Sequence, residues 1–167
     1  MNYVTERLLV RPLTHDDAEF IIELLNQESF IKNIADKGVR TKKDAIEYLD
    51  NGPIASYQQF GFGLSCVQLK GANELIGTCG LLKRPELDYP DIGYALIDRF
   101  AGKGFAKEAA KGALEVADSQ LKLKRICAVT SLDNPSSIGL LISLGFQFEK
   151  EIELYGEPTN YYLREFC

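Results

Sequence analysis

The chain has 167 residues, 46% of them hydrophobic and 26% charged, with a formal net charge of −5, the make-up of one globular domain large enough to bury its own core. No apolar run approaches the ~18 residues that a membrane span needs, and the start, MNYVTERLLVRPL, lacks the basic end and apolar stretch of a signal peptide. A negative net charge argues against non-specific binding to a nucleic-acid backbone. The expectation is a single cytoplasmic domain over residues 1–167, with no membrane or nucleic-acid partner. Cysteines at 66, 79, 127 and 167 show no CxxC spacing and there is one histidine, so reduced thiols and no metal site are expected.

In chain order, ERLLVR (6–11) reads as a first strand. Thr14 opens a helix, with Asp17 three positions on as a variant capping box, and Phe20, Ile21, Leu24 and Leu25 keep the helical period. His15, in that first turn, has nothing nearby to orient its ring and is expected in solvent. Residues 28–40 read as irregular or short-helical, and Thr41 opens a second capped helix, TKKDAIEYL. The period then changes to two. Phe60, Phe62, Leu64 and Cys66 alternate with smaller residues, and ELIGTCGLL (74–82) follows the turn KGAN, which predicts a β-hairpin. DIGYALI (91–97) makes another strand, a helix runs from about 104 to 121, and RICAVTS (125–131) reads as a buried strand, completing a βαβ unit. Asn134 is placed as an N-cap with Pro135 behind it, and Gly145 to end that helix at C′. FQFEKEIEL, the loop YGEPTN and YYLREF close the chain as two strands. The fold class is therefore α/β in the mixed sense: a mostly antiparallel central sheet with helices on both faces.

The stretch RFAGKGFAKEAAKGAL (99–114) carries the chemistry. The first turn of a helix leaves backbone N–H groups without acceptors, and the helix dipole adds partial positive charge there. Gly102 and Gly104 remove side chains that would hold a phosphate away, and Ala106 keeps the next turn small. Lys103, Lys107 and Lys111, four apart, join Arg99 in a cationic patch suited to a polyanion. A solvated lysine stripe behind a glycine-rich loop accounts for the same residues. A dinucleotide fold wants GxGxxG, but Lys107 stands at the third glycine, and Asp133 lies 31 residues past Gly102 where ~20 is usual. The P-loop pattern is absent.

DIGYALIDRFAGKGFAKEAAKGAL followed by NPSSIGLLISLGFQFEKE resembles the core of the GNAT superfamily of acetyl-coenzyme A-dependent N-acetyltransferases. TERLLVRPLTHDDAEF and ELIGTCGL are similar to the opening of its ribosomal-protein N-acetyltransferase-like branch, and the resemblance runs over residues 5 to 166. The superfamily's [Q/R]-x-x-G-x-[G/A] loop lands on Ala101, Gly104 and Ala106, with Ala101 departing from the usual first residue. Its N-x-x-S and LGF pieces land on Asn134, Ser137, Leu144, Gly145 and Phe146.

The resemblance implies acetyl-CoA as co-substrate and direct attack by a primary amine on its thioester, with no covalent enzyme intermediate. A backbone N–H of the strand before the loop would steady the developing oxyanion. It also implies cofactor-binding residues. The amides of Leu96 and Ile97 would hold the pantetheine arm, Gly102, Lys103, Gly104, Phe105, Ala106 and Lys107 the pyrophosphate, and Asn134 would lie beside the pantetheine as well as capping its helix. An attacking ammonium must lose a proton. Asp91 is the catalytic base expected, a strand-edge aspartate in water being the plainer reading and solvent the other acceptor. Many members protonate the leaving thiolate with a tyrosine seven residues after the asparagine, where this chain has Leu141. Ser137, one turn earlier on the same face, is the catalytic acid expected, although a hydroxyl there also serves as a local cap. The amine acceptor, a protein N-terminus or a small molecule, is expected between segments 28–40, 83–90 and 156–160, whose acids would favour a cation. A non-catalytic acyl-CoA-binding module and a dinucleotide-binding protein stay as alternatives, and oligomeric state is not readable.

Overall fold

The computed structural model describes residues 1–167. Eight strands form one sheet in the order β1-β2-β3-β4-β5-β6-β8-β7. They are β1 Tyr3–Val4, β2 Leu8–Pro12, β3 Leu64–Leu69, β4 Leu75–Leu82, β5 Asp91–Leu96, β6 Arg125–Ser131, β7 Gln147–Leu154 and β8 Glu157–Glu165. Every neighbouring pair is antiparallel except β5 and β6, which run parallel as the ends of a βαβ crossover. Six consecutive residues of β4, Ile76–Leu81, are buried, which requires cover on both faces of the sheet.

The helices are α1 Ala18–Leu25, α2 Glu28–Asn33, α3 Lys42–Leu49, α4 Ala55–Phe60, α5 Phe105–Ser119 and α6 Pro135–Ser143. Thr14 and Thr41 both form capping boxes with the aspartate three residues on, and Phe20, Ile21, Leu24 and Leu25 are buried. α5 lies on the sheet through Ala109, Ala110, Ala113 and Ala117, each at most 1% exposed, and these small side chains let it pack closely against β1, β2, β4 and β5. Cys66, Cys79 and Cys127 are buried free thiols within strands; burial pushes each up to about 12, so they are inert as nucleophiles.

Two local expectations give way. The alternation Phe60-Phe62-Leu64-Cys66 spans a helix end: a π-helical turn at Asp50–Ile54 runs into α4, which stops at Gly61 in the left-handed region. Phe60 and Phe62 stack on each other across that stop, and the strand begins at Leu64. The segment GEPTN is no loop. β7 turns at Tyr155-Gly156 and Leu154 already pairs with Glu157, so β8 takes up most of it.

Candidate active site

β5 and β6 share a single register pair, Asp91 with Cys127, and beyond it they separate. The gap opens a cavity of about 1460 Å³, whose walls come from β5 (92–96), the β6–α6 segment (128–141), α2, and the π-helical turn with α4. All three segments expected at the acceptor mouth contribute, through residues such as Ser29, Lys37, Lys83, Arg84, Glu157 and Thr159. Leu96, Asn134 and Ser137 line the cavity; Asp91 and Ile97 do not.

The backbone of β5 is split between two duties. The Ile97 N–H donates to the Ile76 carbonyl at 2.8 Å, and antiparallel pairing alternates, so the amides of Tyr94 and Leu96 point away from β4, toward the gap. This corrects the expectation for Ile97. Its amide is committed to the sheet and its side chain is 1% exposed in the core. Leu96 keeps its N–H on the cavity side.

Past Leu96, the turn Asp98–Phe100 leads into the glycine loop. Gly102 and Gly104 sit at φ +76° and +83°, a region that L side chains enter at a cost. No side chain caps α5, and the amides of Phe105, Ala106 and Lys107 have no acceptor in the protein. Open space surrounds the position a Gly102 Cβ would take, so the loop is a bare cradle of donors at a helix N-terminus, which fits a pyrophosphate. Lys103, Lys107 and Lys111 stay exposed around it. Arg99 does not join them, because its guanidinium bonds Glu23 and Glu74, each at 3.1 Å. Arg7, which the sequence pattern did not mark, lies beside the loop and ties down Glu108, the acid nearest the lysines. It donates through Nε to Glu108 at 2.7 Å and through Nη1 to the Lys103 carbonyl at 3.0 Å, and it lies 4.3 Å over the Phe105 ring.

Across the gap, Asn134 caps α6, its Oδ1 accepting from the Ser137 backbone N–H at 3.3 Å. The Ser137 hydroxyl is therefore not the cap. It bonds instead to the hydroxyl of Tyr94, 2.6 Å away on β5. Leu141 is 1% exposed, so a tyrosine reaches this place from the strand and not from the helix. The motif DIGYALI displayed Tyr94, but nothing in linear order linked residue 94 to residue 137. Burial pushes Tyr94 up to about 12, partly offset by the bond to Ser137, so it stays protonated throughout the working pH range.

Asp91 is fully buried. Arg84 Nε donates to its Oδ1 at 3.2 Å, and Arg84 Nη2 lies 3.1 Å from Oδ2 without hydrogen-bond alignment. Burial pushes the carboxyl up to about 6, against the pull of Arg84. Asp91, expected as the base, does not line the cavity; Arg84, which pairs with it, does. His15 bonds Asp50 at the surface.

A sheet parted at one parallel pair, with a glycine loop feeding a helix at the end of the gap, defines an acyl-CoA-type transferase architecture. The family model described as acetyltransferase (GNAT) domain matches residues 7–147, and the chain belongs to that family: it is an acetyltransferase. It is 33% identical over 149 residues to the uncharacterised N-acetyltransferase p20 of Bacillus licheniformis, spanning 87% of this chain and 82% of that one. Its fold matches the GNAT-family acetyltransferase of Bacillus anthracis at a TM-score of 0.81, with 25% identity, 99% of this chain and 98% of that chain covered. It also matches the ribosomal L7/L12 alpha-N-protein acetyltransferase RimL in complex with coenzyme A, at a TM-score of 0.80 and 18% identity over 98% and 96% of the two chains. No helix is long and apolar enough to cross a membrane.

Proposed function

We propose that this chain transfers the acetyl group of acetyl-CoA to a primary amine by direct attack, in the manner of the ribosomal-protein branch of its family. The observation that carries this reading is the single β5–β6 pair at Asp91 and Cys127, which frees the Leu96 amide beside a cavity and ends at the bare amides of the glycine loop. When bound, acetyl-CoA supplies an activated thioester. Gly102, Lys103, Gly104, Phe105, Ala106 and Lys107 hold its pyrophosphate through backbone donors and helix-end charge, and Asn134 borders its arm. The Leu96 N–H lies where charge develops on the carbonyl oxygen.

Ser137 donates the proton to the departing thiolate, and Tyr94, 2.6 Å from its hydroxyl, orients it: in this reading we assign the tyrosine as donor to Ser137 Oγ, which leaves the serine's own hydrogen free to turn toward the cavity. The amine loses its proton to solvent, since Asp91 does not line the cavity. Thiol release from acetyl-CoA across peptide, polyamine, aminoglycoside and amino-acid acceptors tests the activity. Gly104→Asp tests the cradle: acetyl-CoA affinity measured by calorimetry falls at least tenfold as a carboxylate enters the anion site. Gly38→Asp controls for backbone strain, because Gly38 shares the positive φ but lies elsewhere and has open space, whereas a Cβ at Gly104 would also meet Arg7 Nη2 at 3.3 Å. Unchanged affinity in a folded Gly104→Asp removes the cofactor assignment.

A further inference from the structure

The charges on the cavity wall run against the sequence expectation of a cationic acceptor. Lys32, Lys37, Lys83 and Arg84 line it, against Glu157. Glu86 and Asp88, acids expected to favour a cation, are not in the wall; Glu86 accepts at 3.3 Å from the hydroxyl of Tyr155, which is in it. Lys32, Lys37 and Lys83 form no ion pair with any carboxylate. Lys83 Nζ is fixed by donating to the Leu87 carbonyl at 2.9 Å. Asp91 is the one carboxylate paired with Arg84, whose guanidinium also lies 6.0 Å over the Tyr155 ring.

Arg84 and the cations grouped with it do not serve the pyrophosphate. Arg84 pairs with the first residue of β5, while the glycine loop follows the last, and five residues of strand separate Asp91 from Leu96 by roughly 16 Å. Arg84, its neighbour Lys83, and Lys37, which feels the Arg84 charge, stand at the far end of the cavity, where the acceptor and not the cofactor must lie; Lys32 does not join them, because its helix α2 starts against Asp98 through Gln27 and Ser29.

We propose that the acceptor is a peptide-like amine bearing negative charge, an N-terminus followed within two residues by a carboxylate side chain that sits among Lys37, Lys83 and Arg84. The inference rests on the acetyl-transfer reading and names its substrate class. The spacing sets the length: with the amine at the Leu96 end, an extended peptide advancing ~3.3 Å per residue, plus its acidic side chain and the reach of Arg84, closes the distance at its second or third residue. The α-carboxylate of a free amino acid, two bonds from its amine, falls short. Lys37 fits this arrangement, since burial and then the nearby Arg84 charge disfavour its ammonium until an anion joins them.

The test compares kcat/KM for thiol release with Ala-Glu-Glu, Ala-Gln-Gln and Ala-Lys-Lys tripeptide amides and with free alanine. The expected order places the Glu peptide about tenfold or more above the Gln peptide, and the Lys peptide lowest. Free alanine is expected below the Glu peptide. The double variant Lys37→Glu/Lys83→Gln is expected to abolish or invert that order while acetyl-CoA affinity stays unchanged. A Lys peptide used as well as the Glu peptide, free alanine matching the Glu peptide, or an unaltered order in the double variant overturns the proposal. Calorimetry of the three N-acetylated tripeptides with coenzyme A present separates the two readings. If no peptide releases thiol yet the acidic product binds preferentially, acetyl transfer to peptides fails and the anion preference stands. Equal binding of all three overturns the anion preference itself.

Discussion

Ser137 and Tyr94 show how one hydrogen bond redirects a mechanistic argument. A first-turn serine has two available roles, capping its helix or facing outward, and here the cap belongs to Asn134 and the Ser137 backbone, leaving the hydroxyl to Tyr94. A proton donor acts mainly in the transition state, so Ser137→Ala is expected to lower kcat by at most ~10²-fold, a thiol being a good leaving group, with acetyl-CoA affinity nearly constant. Tyr94→Phe keeps the ring and removes only the orienting hydroxyl. Steady-state kinetics should show a smaller kcat loss of about tenfold, and the double variant should lose no more than Ser137→Ala alone because the two groups act as a unit. Strictly additive losses would separate them, and wild-type turnover in Ser137→Ala would leave solvent as the acid.

At the level of elements, the glycine loop depends on a segment about a hundred residues earlier. The turn between β1 and β2 sends Arg7 across to Glu108 and the Lys103 carbonyl, and the Thr5 hydroxyl donates to the same Glu108 carboxylate. This ties the only acid of α5's first turn to the N-terminal turn and leaves the lysines around the loop unopposed. Arg7 is 43% exposed, so Arg7→Ala is expected to cost at most about 1 kcal/mol of stability. It should also weaken acetyl-CoA binding several-fold by freeing Glu108 beside the anion site, which calorimetry and thermal melts read separately. The clamp was not legible in the sequence, because Arg7 and Glu108 meet only after β2 and α5 pack. Elements with strong local signals were legible. Thr14 and Thr41 announce their capping boxes, RICAVTS is β6 residue for residue, and Asn134-Pro135 starts α6 as read. Residues 50–59 escaped a reading and Phe60 was read into a strand, because a π-helical turn absorbs Pro53 and carries the chain on into α4.

Taken as a whole, the molecule closes its sheet at one point and opens it everywhere beyond. At the closed end the Cys127 N–H donates to the Pro90 carbonyl at 3.0 Å, Asp91 pairs with Cys127, and Arg84 covers the Asp91 carboxyl. The sequence displayed both strands and the helix between them, but the parting of β5 from β6 is a property of the assembled sheet, and so are the cations that face it. Burying a carboxyl at the vertex ties global stability to pH. Its folded value of about 6 exceeds the ordinary 3.8, so the folded state binds the Asp91 proton more tightly than the unfolded chain does. The stabilisation is present in full below pH 3.8 and is lost as the pH rises through 6, a swing of the order of 3 kcal/mol. Asp91→Asn fixes the side chain in a neutral form of the same shape. Denaturant titrations of both proteins from pH 4 to 7 should therefore show the variant gaining stability over the parent as pH rises, with most of the change between 4 and 6. Other carboxylates titrate alike in the two proteins and cancel in the difference. A difference that stays flat across this range would mean that Arg84 holds Asp91 ionised in the fold, and that the closed end of the sheet rests on an ion pair and not on a buried acid.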